Sequence, residues 1–247
     1  MPDALFADPR LAVLHDLFED PARPDLDPYL VRATREPRAR RVVDVGCGTG
    51  VLAARLARAG LDVVGVDPAA ASLAVARDRE PRVRWLQAGA ADLPALAPDL
   101  EADLAVMTGN VAQVFTTDTG WDAALAGVAR ALRPGGRLVF ETRRPAARDW
   151  ENWSTATQHR DVPGTGHVTK RFELLDVTGA LVTFRNTFDL AGTVVVSEST
   201  LRFRDLPELE GSLRRNGFTV QDVGQAPDRP GLEFVVEATR ARPVTAR

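Results

Sequence analysis

Val42-Val43-Asp44-Val45-Gly46-Cys47-Gly48-Thr49-Gly50 sets an apolar, β-branched run carrying one acid directly before three alternating glycines. The run from Val42 to Val45 is too short and too branched for a helix, and it predicts a buried strand. The glycines let the chain turn tightly and bring its backbone close to a ligand. From Val51 to Arg58 the apolar spacing becomes helical, so a helix N-terminus with unpaired N–H groups faces the same spot. Strand, glycine turn and helix in this order predict a crevice for a nucleotide-like cofactor.

A second buried strand, Val63-Val64-Gly65-Val66-Asp67, also ends in an acid, and Asp67 falls 17 residues after Gly50. An acid about 20 residues beyond such glycines, at the tip of the neighbouring strand, is the usual partner of a ribose diol. A carboxylate accepts from two adjacent hydroxyls at once, and such charge-assisted bonds are roughly twice as strong as neutral ones. Two cofactors fit that geometry, a nicotinamide dinucleotide and S-adenosylmethionine. The dinucleotide fingerprint wants its third glycine one position later, where Val51 stands. An acid inside the first strand, Asp44, suits a cofactor that carries an ammonium group better than one that carries phosphates.

Further motifs follow in a consistent order. Asp103-Leu104-Ala105-Val106-Met107-Thr108-Gly109-Asn110 reads as a strand and the loop after it. In Leu132-Arg133-Pro134-Gly135-Gly136-Arg137-Leu138-Val139-Phe140, the Pro-Gly-Gly stops a helix and reverses the chain into an apolar run. Taken together, from about Arg41 to Arg240, the chain resembles the class I S-adenosylmethionine-dependent methyltransferases. It is most similar to small-molecule enzymes of the bacterial methyltransferase-25-like type, and Met107 to Phe115 and Phe140 to Trp153 resemble an actinobacterial branch.

The fold class that pattern and resemblance predict is α/β. It comprises a Rossmann-like, seven-stranded, mostly parallel sheet with helices on both faces, an N-terminal helical lid and an inserted antiparallel β-sheet. Four stretches are expected: a lid over 1–40, the cofactor-binding core over 41–145, the insert over 146–205, and a closing helix and strands over 206–247. In the lid, one amphipathic helix is predicted with Leu11, Leu14, Phe18 and Leu17 on one face, then a proline-rich linker and a short helix near Tyr29. In the insert, period-two alternation predicts three strands, at Val168 to Leu174, Leu181 to Phe188 and Val194 to Phe203. Tight turns are expected at Thr178-Gly179 and Ala191-Gly192. Leu206 to Gly217 reads as a helix, and Phe218 to Val223 and Leu232 to Arg240 as the last strands. This ending resembles the family's terminal antiparallel addition, which the dinucleotide-binding fold lacks.

Carried over residue by residue, the resemblance implies that the loop of Gly46, Cys47, Gly48 and Gly50 passes under the methionine moiety and ribose. Asp44 would anchor the amino group and Asp67 the ribose hydroxyls. Ala90 would offer its N–H to adenine, with Pro68 and Leu93 on the ring faces, and Thr108 and Asn110 would complete the cofactor wall. One departure stands out. Where the family commonly has Gly-Asp-Ala-x-x-Leu-Pro, this chain has Ala88-Gly89-Ala90-Ala91-Asp92-Leu93-Pro94, so Gly89 replaces the acid facing the adenine amino group. That loss is worth about 1.5–3 kcal/mol unless Asp92 or water compensates. Cys47 reads as a small, inert loop residue.

On the acceptor side, the loop from Thr108 to Phe115 follows the fourth strand at the carboxyl edge of the sheet, where ligands bind. Asn110 and Gln113 would orient the acceptor, or Asn110 would cap the helix that starts there. Tyr29, Arg143, Trp150 and Trp153 are the other candidate substrate contacts: an arginine for an anionic group and tryptophans for a planar one. The alternative for the tryptophans is a packing pair under the insert. Methyl transfer needs in-line approach more than acid–base chemistry, and His15, on the lid, is the candidate base, with a surface or lid-packing role as the alternative. His159 and His167 fall in or beside the glycine-rich segment 163–166 and read as solvated.

Composition narrows the choices. The chain has 247 residues, of which 45% are hydrophobic, enough for one full core. A net charge of −3 without a basic run argues against a nucleic-acid partner. One cysteine, Cys47, excludes an internal disulfide or a multi-thiolate metal site, and the three histidines lack ligand spacing, so no metal is expected. No run approaches the roughly 18 apolar residues of a membrane span, and there is no signal pattern, so the expected location is cytoplasmic and no membrane partner is expected. The expected cofactor is S-adenosyl-L-methionine, leaving as S-adenosyl-L-homocysteine. The expected partner is a small-molecule methyl acceptor, possible natural-product intermediates included, and the insert is a candidate homodimer surface. The competing readings are a cyclase or decarboxylase that uses the bound sulfonium as a fixed charge, and a non-catalytic binding protein.

Overall fold

A computed structural model of the chain describes residues 2–19, 22–35 and 39–242. Part of the proline-rich linker (20–21), part of the lid segment (36–38) and the end of the closing segment (243–247) lie outside the described residues. The strands are β1 (Arg41–Val45), β2 (Asp62–Asp67), β3 (Arg84–Gln87), β4 (Ala102–Met107), β5 (Leu132–Arg143), β6 (Gln158–Val162), β7 (Gly166–Thr178), β8 (Leu181–Leu190), β9 (Thr193–Arg202), β10 (Phe218–Gly224) and β11 (Glu233–Arg240). The α-helices are α1 (Ala4–Ala7), α2 (Pro9–Ala12), α3 (Asp27–Thr34), α4 (Val51–Arg58), α5 (Ala70–Arg79), α6 (Leu93–Leu96), α7 (Asp118–Ala131) and α8 (Leu206–Arg215).

Seven strands form one sheet in the order β10-β11-β5-β4-β1-β2-β3. Strands β1 to β5 pair in parallel, and β11 runs antiparallel to both β5 and β10. The central strands are apolar on both sides because both sides are covered. Val42, Val63, Leu104, Val106 and Val139 pack with Tyr29 and Ala33 of α3 and Leu52, Ala53 and Leu56 of α4. Their neighbours Val43, Val64, Ala105, Met107, Leu138 and Phe140 pack on the other side with residues of α6, α7 and α8. One-residue alternation therefore sorts a single run of valines between two cores. Helix α7 comes in close at Gly127, where a Cβ would fall 2.1 Å from the Ala90 carbonyl oxygen. A side chain there would push the helix off the loop that follows β3.

The remaining strands make a separate antiparallel sheet, β6-β7-β8-β9. Sequence alternation anticipates β7, β8 and β9 but not β6, whose side chains are exposed except for Val162 and so carry no apolar period. The tight turns fall at Gly179-Ala180, one residue beyond expectation, and at Ala191-Gly192.

The N-terminal segment departs from the single amphipathic helix. Asp8 accepts from the Arg10 N–H and Pro9 opens a new turn, so the chain makes two one-turn helices and then a 3₁₀ turn over His15–Phe18. Proline lacks the N–H that a helix interior needs, and it serves instead as a helix start. Leu11 and Leu14 are still buried, against Val168, Phe188, Leu190 and Val195 of the insert, whereas Leu17 is 45% exposed. Asp16 accepts from the Thr49 hydroxyl and pairs with Arg79, so this segment spans from the insert to the glycine loop. No helix among the described residues is long and apolar enough to cross a membrane.

Candidate active site

Because β1, β2 and β4 are parallel, their carboxyl ends meet at one edge, and a cavity of about 630 Å³ opens there. Its floor is Asp44 and the loop Gly46–Thr49 after β1, Asp67 and Pro68 at the end of β2, residues 88–90 after β3, and Thr108, Gly109 and Val111 after β4. Its roof is Asp3, Phe6 and His15 from the N-terminal segment, residues 114–116, and Glu198, Ser199, Thr200 and Leu201 of β9.

The glycine loop is tied to β2 by the Gly46 and Cys47 N–H groups, which donate to the Val66 carbonyl at 2.8 and 3.1 Å. Asp67, 7% exposed, accepts from the Gly48 N–H at 2.9 Å and the Ala69 N–H at 2.8 Å. Burial raises its pKa, and those two N–H groups offset part of the rise. Asp44 is 1% exposed, and its Oδ1 has no hydrogen-bond partner. Burial, and secondly the Asp67 charge, push its carboxyl up to about 7. An unpaired buried acceptor is costly unless a donor fills the space in front of it. Gly48 and Gly109 take left-handed backbone conformations, φ +52° and +65°, and nothing lies within 4 Å of where a Cβ would stand. Both line the cavity, so the backbone is bare toward open space. Burial, then Asp44 and Asp67, push the Cys47 thiol well above its ordinary value, which keeps it protonated and unreactive.

At the third strand's end, the Gly89 N–H donates to Asp92 Oδ2 at 3.0 Å. Asp92 thus closes its own turn. Ala90 lines the cavity and is backed by α7 at Gly127. Leu93 is buried in the core beneath.

His15 lines the cavity with its ring 5.3 Å from that of Phe6 and its Nδ1 3.2 Å from Asp16 Oδ1. The other acceptor-side candidates stand behind the Thr108–Phe115 loop. Asn110 is buried in a left-handed conformation at the start of the 3₁₀ turn Val111–Val114, makes no cap bond, and donates from Nδ2 to Glu233 Oε1 at 2.8 Å. Gln113 is buried and accepts from Arg143 Nη1 at 3.0 Å. Arg143 also lies over the Trp153 ring at 5.1 Å. Trp153 meets Phe172 and Phe184 edge-on, and Trp150 meets Phe203 at 4.7 Å. The buried Tyr29 donates to Glu141 Oε2 at 2.5 Å, and Glu141 Oε1 accepts from the Gly109 N–H at 2.7 Å. Tyr29, Gly50, Asn110, Gln113, Arg143, Trp150 and Trp153 are not among the residues that line the cavity. Gly50 instead begins α4 and packs beneath Trp85. His159 and His167 sit together on the exposed β6–β7 hairpin, 3.2 Å apart. Among the described residues, no group of three or more His, Cys, Asp or Glu is placed to hold a metal ion.

Sequence reasoning missed the roof residues Asp3, Phe6 and Ser199, and it missed two buried polar anchors, Glu141 and Arg204. Arg204 donates to the Phe115 carbonyl at 2.7 Å and the Thr117 carbonyl at 3.1 Å, which fixes the loop to the end of the insert. Glu141, set directly after the apolar run Leu138-Val139-Phe140, carries a sequence signal, whereas Arg204, between Phe203 and Asp205, carries none.

Fold and floor together define a cofactor-dependent α/β enzyme class. A family model described as a methyltransferase domain matches residues 42–136. A probable S-adenosylmethionine-dependent methyltransferase of Mycobacterium tuberculosis is 30% identical over 206 residues, covering 81% of this chain and 67% of that protein. The chain belongs to the S-adenosylmethionine-dependent methyltransferases. An uncharacterized methyltransferase of Mycobacterium bovis is 40% identical over 124 residues, 49% of this chain, and the chain spans about half the length of that relative, 48%. The fold matches that of the sugar N-methyltransferase KedS8 from Streptoalloteichus, with a TM-score of 0.79 at 20% identity over 98% of this chain and 96% of that one.

The residues present suit the family's cofactor, S-adenosylmethionine. The orphaned Asp44 oxygen calls for a donor such as an ammonium group, and the empty Cβ positions at Gly48 and Gly109 leave room for one to be presented along the loop.

Proposed function

We propose that this protein transfers a methyl group from S-adenosylmethionine to oxygen or nitrogen of a small-molecule acceptor, by in-line displacement without a metal. The observation that carries the reading is the unpaired Asp44 oxygen on the floor of a cavity that also holds Asp67 and the bare Gly48 backbone. When bound, the cofactor supplies a methyl group activated by its sulfonium. Asp44 holds the amino group, the loop from Gly46 through Cys47 and Gly48 supports the methionine and ribose with Gly50 anchoring its far end under Trp85, and the remaining lone pairs of Asp67 take the ribose hydroxyls. Pro68, Gly89 and Ala90 border the adenine, and Thr108 closes the wall, with Asn110 behind it on Glu233. The N-terminal segment and β9 exclude water from above, which strengthens each of these contacts.

In this reading the four stretches 1–40, 41–145, 146–205 and 206–247 act as lid, cofactor core, acceptor-side insert and closing unit. A net charge of −3 supports a small acceptor over a nucleic acid. His15, by its place in the roof, is the candidate base. The exposed Leu174, Leu175, Val177, Val194 and Val196 of the insert give a second copy an apolar surface to bury. Sedimentation at micromolar concentration tests that dimer, and a monomer there removes it.

Calorimetry with S-adenosylhomocysteine tests the cofactor. The unaltered chain should bind it, and Asp67→Ala should weaken binding about tenfold or more, the worth of charge-assisted bonds to two hydroxyls. Methyl-labelled cofactor offered with candidate acceptors should label the product. Product without label would instead point to a cyclase or decarboxylase.

A further inference from the structure

The roof of the cavity holds an acid that the cofactor reading leaves unused. Asp3 lines the cavity in company with Phe6, His15 and Thr200. Its Oδ2 accepts from the Ser199 hydroxyl, while its Oδ1 is buried without a hydrogen-bond partner. Among the described residues, the charged group bearing on it is the His15 imidazole, when protonated. The second roof acid, Glu198, is already committed: it is exposed and accepts from Arg185 Nε at 2.8 Å. Among the described residues, Asp3 is therefore the roof carboxylate without an arginine or lysine partner. The same roof carries the apolar Phe6, Val114, Phe115 and Leu201, which suit a carbon skeleton, and its neutral polar groups Thr116 and Thr200 bring no full charge.

A carboxylate taken out of water is costly until a cation or a proton meets it. The floor repeats the problem at Asp44, where the family's cofactor answers it with an ammonium group. The roof poses it on the acceptor's side.

We propose that Asp3 recognises the ammonium group of an aliphatic amine acceptor and takes its proton. The inference rests on the methyl-transfer reading, narrows it from oxygen or nitrogen to nitrogen, and gives the proton-accepting role to Asp3 in place of His15. The acceptor R–NH₃⁺ pairs with the ionised carboxylate; one N–H bond breaks, its proton forms an O–H bond on Asp3, and the N–H electron pair stays on nitrogen as the lone pair that attacks. An alcohol offers no positive charge to the unpaired oxygen and gains nothing comparable. Burial raises the affinity of Asp3 for a proton, in the direction that proton acceptance requires. Ser199 holds the carboxyl in place through its other oxygen.

The test uses the full chain saturated with S-adenosylhomocysteine and two matched probes, cyclohexylamine and cyclohexanol, titrated by ligand-observed NMR at pH 8. The amine should bind at least about tenfold more tightly than the alcohol, the scale of one charge-assisted contact. Asp3→Asn keeps the shape and an acceptor for Ser199, and it should abolish the preference while leaving S-adenosylhomocysteine affinity unchanged. Equal binding of the two probes, no binding of the amine, or a preference that survives Asp3→Asn overturns the inference. Should the variant not fold, the two probes on the unaltered protein still decide it. Failure of the amine preference with intact S-adenosylhomocysteine binding sinks this inference alone, whereas failure to bind S-adenosylhomocysteine sinks the reading beneath it.

Discussion

Asp44→Asn is expected to raise the melting temperature of the ligand-free protein at pH 8 while weakening S-adenosylhomocysteine binding about 30- to 100-fold, the roughly 2–3 kcal/mol of a charged hydrogen bond. Both effects come from one buried carboxyl with an unpaired oxygen. Its folded-state pKa, raised to about 7 by burial and then by Asp67, lies above that of an unfolded carboxylate. The folded chain thus holds this proton to higher pH than the unfolded chain does. The corresponding stability is fully present below the unfolded value, near about 4, and is lost as pH rises to the folded value. At pH 8 the ionised carboxylate therefore destabilises the ligand-free fold by roughly 2–4 kcal/mol, which a neutral amide avoids. Cofactor affinity runs the opposite way: below pH 7 the carboxyl must lose a proton to hold an ammonium group, and affinity should fall by up to about tenfold per pH unit. In the asparagine variant that pH dependence should vanish. Thermal melts at pH 5 and pH 8, paired with calorimetry at the same values, read all three results. An unaltered melting difference between the two chains across that range would contradict the buried-charge account.

Trp121→Ala is expected to cost about 3–5 kcal/mol of folding stability, the range for deleting a buried aromatic. Trp121 is 1% exposed and donates from Nε1 to the Ser212 hydroxyl at 2.8 Å, joining α7 to α8. Its ring centroid lies 5.7 Å from those of both Phe115 and Phe140, and the Arg204 guanidinium sits 5.4 Å above it. Burial already lowers Arg204 to about 10, so removing the aromatic face beside it leaves the cation to the Phe115 and Thr117 carbonyls and its unpaired Nε without cover. Because Arg204 fixes the Phe115 carbonyl, the damage should reach the roof, and S-adenosylhomocysteine affinity should fall together with the urea midpoint. Trp121→Phe keeps a ring in place but loses the Ser212 bond, and it should recover much of the stability. A midpoint for the alanine variant within experimental error of the unaltered chain would mean that α7 is anchored elsewhere.

The floor of the site was legible because it is local. Asp44, the glycines and Asp67 each follow from a strand ending in a turn, and parallel pairing then brings the strand ends together without further information. The sheet was legible for the same reason, since valine runs of four to six residues between turn signals leave few alternatives. What the chain hid is long-range. Asp3 meets Ser199, and Tyr29 meets Glu141, across separations that no window of sequence spans. Strand β6 carries no apolar alternation, because it is an exposed edge paired on one side only. The aromatic and basic cluster after β5 reads as a substrate surface, yet Arg143 lies over Trp153 and donates to Gln113, Trp153 packs on Phe172 and Phe184 of the insert, and Trp150 packs on Phe203. Residue type alone does not tell a ring that stacks on a ligand from one that packs beneath a sheet.

The cavity's two surfaces have separate ancestries in the chain. The floor issues from the strand ends of the shared α/β scaffold, while the roof adds to residues 114–116 of that scaffold the first residues and β9, which lie outside it. Substitution in the N-terminal and β9 part of the roof is therefore expected to retune which molecule is admitted while S-adenosylhomocysteine affinity stays in place. Libraries randomised at Phe6, Ser199, Thr200 and Leu201 are accordingly a direct route to altered selectivity in this protein.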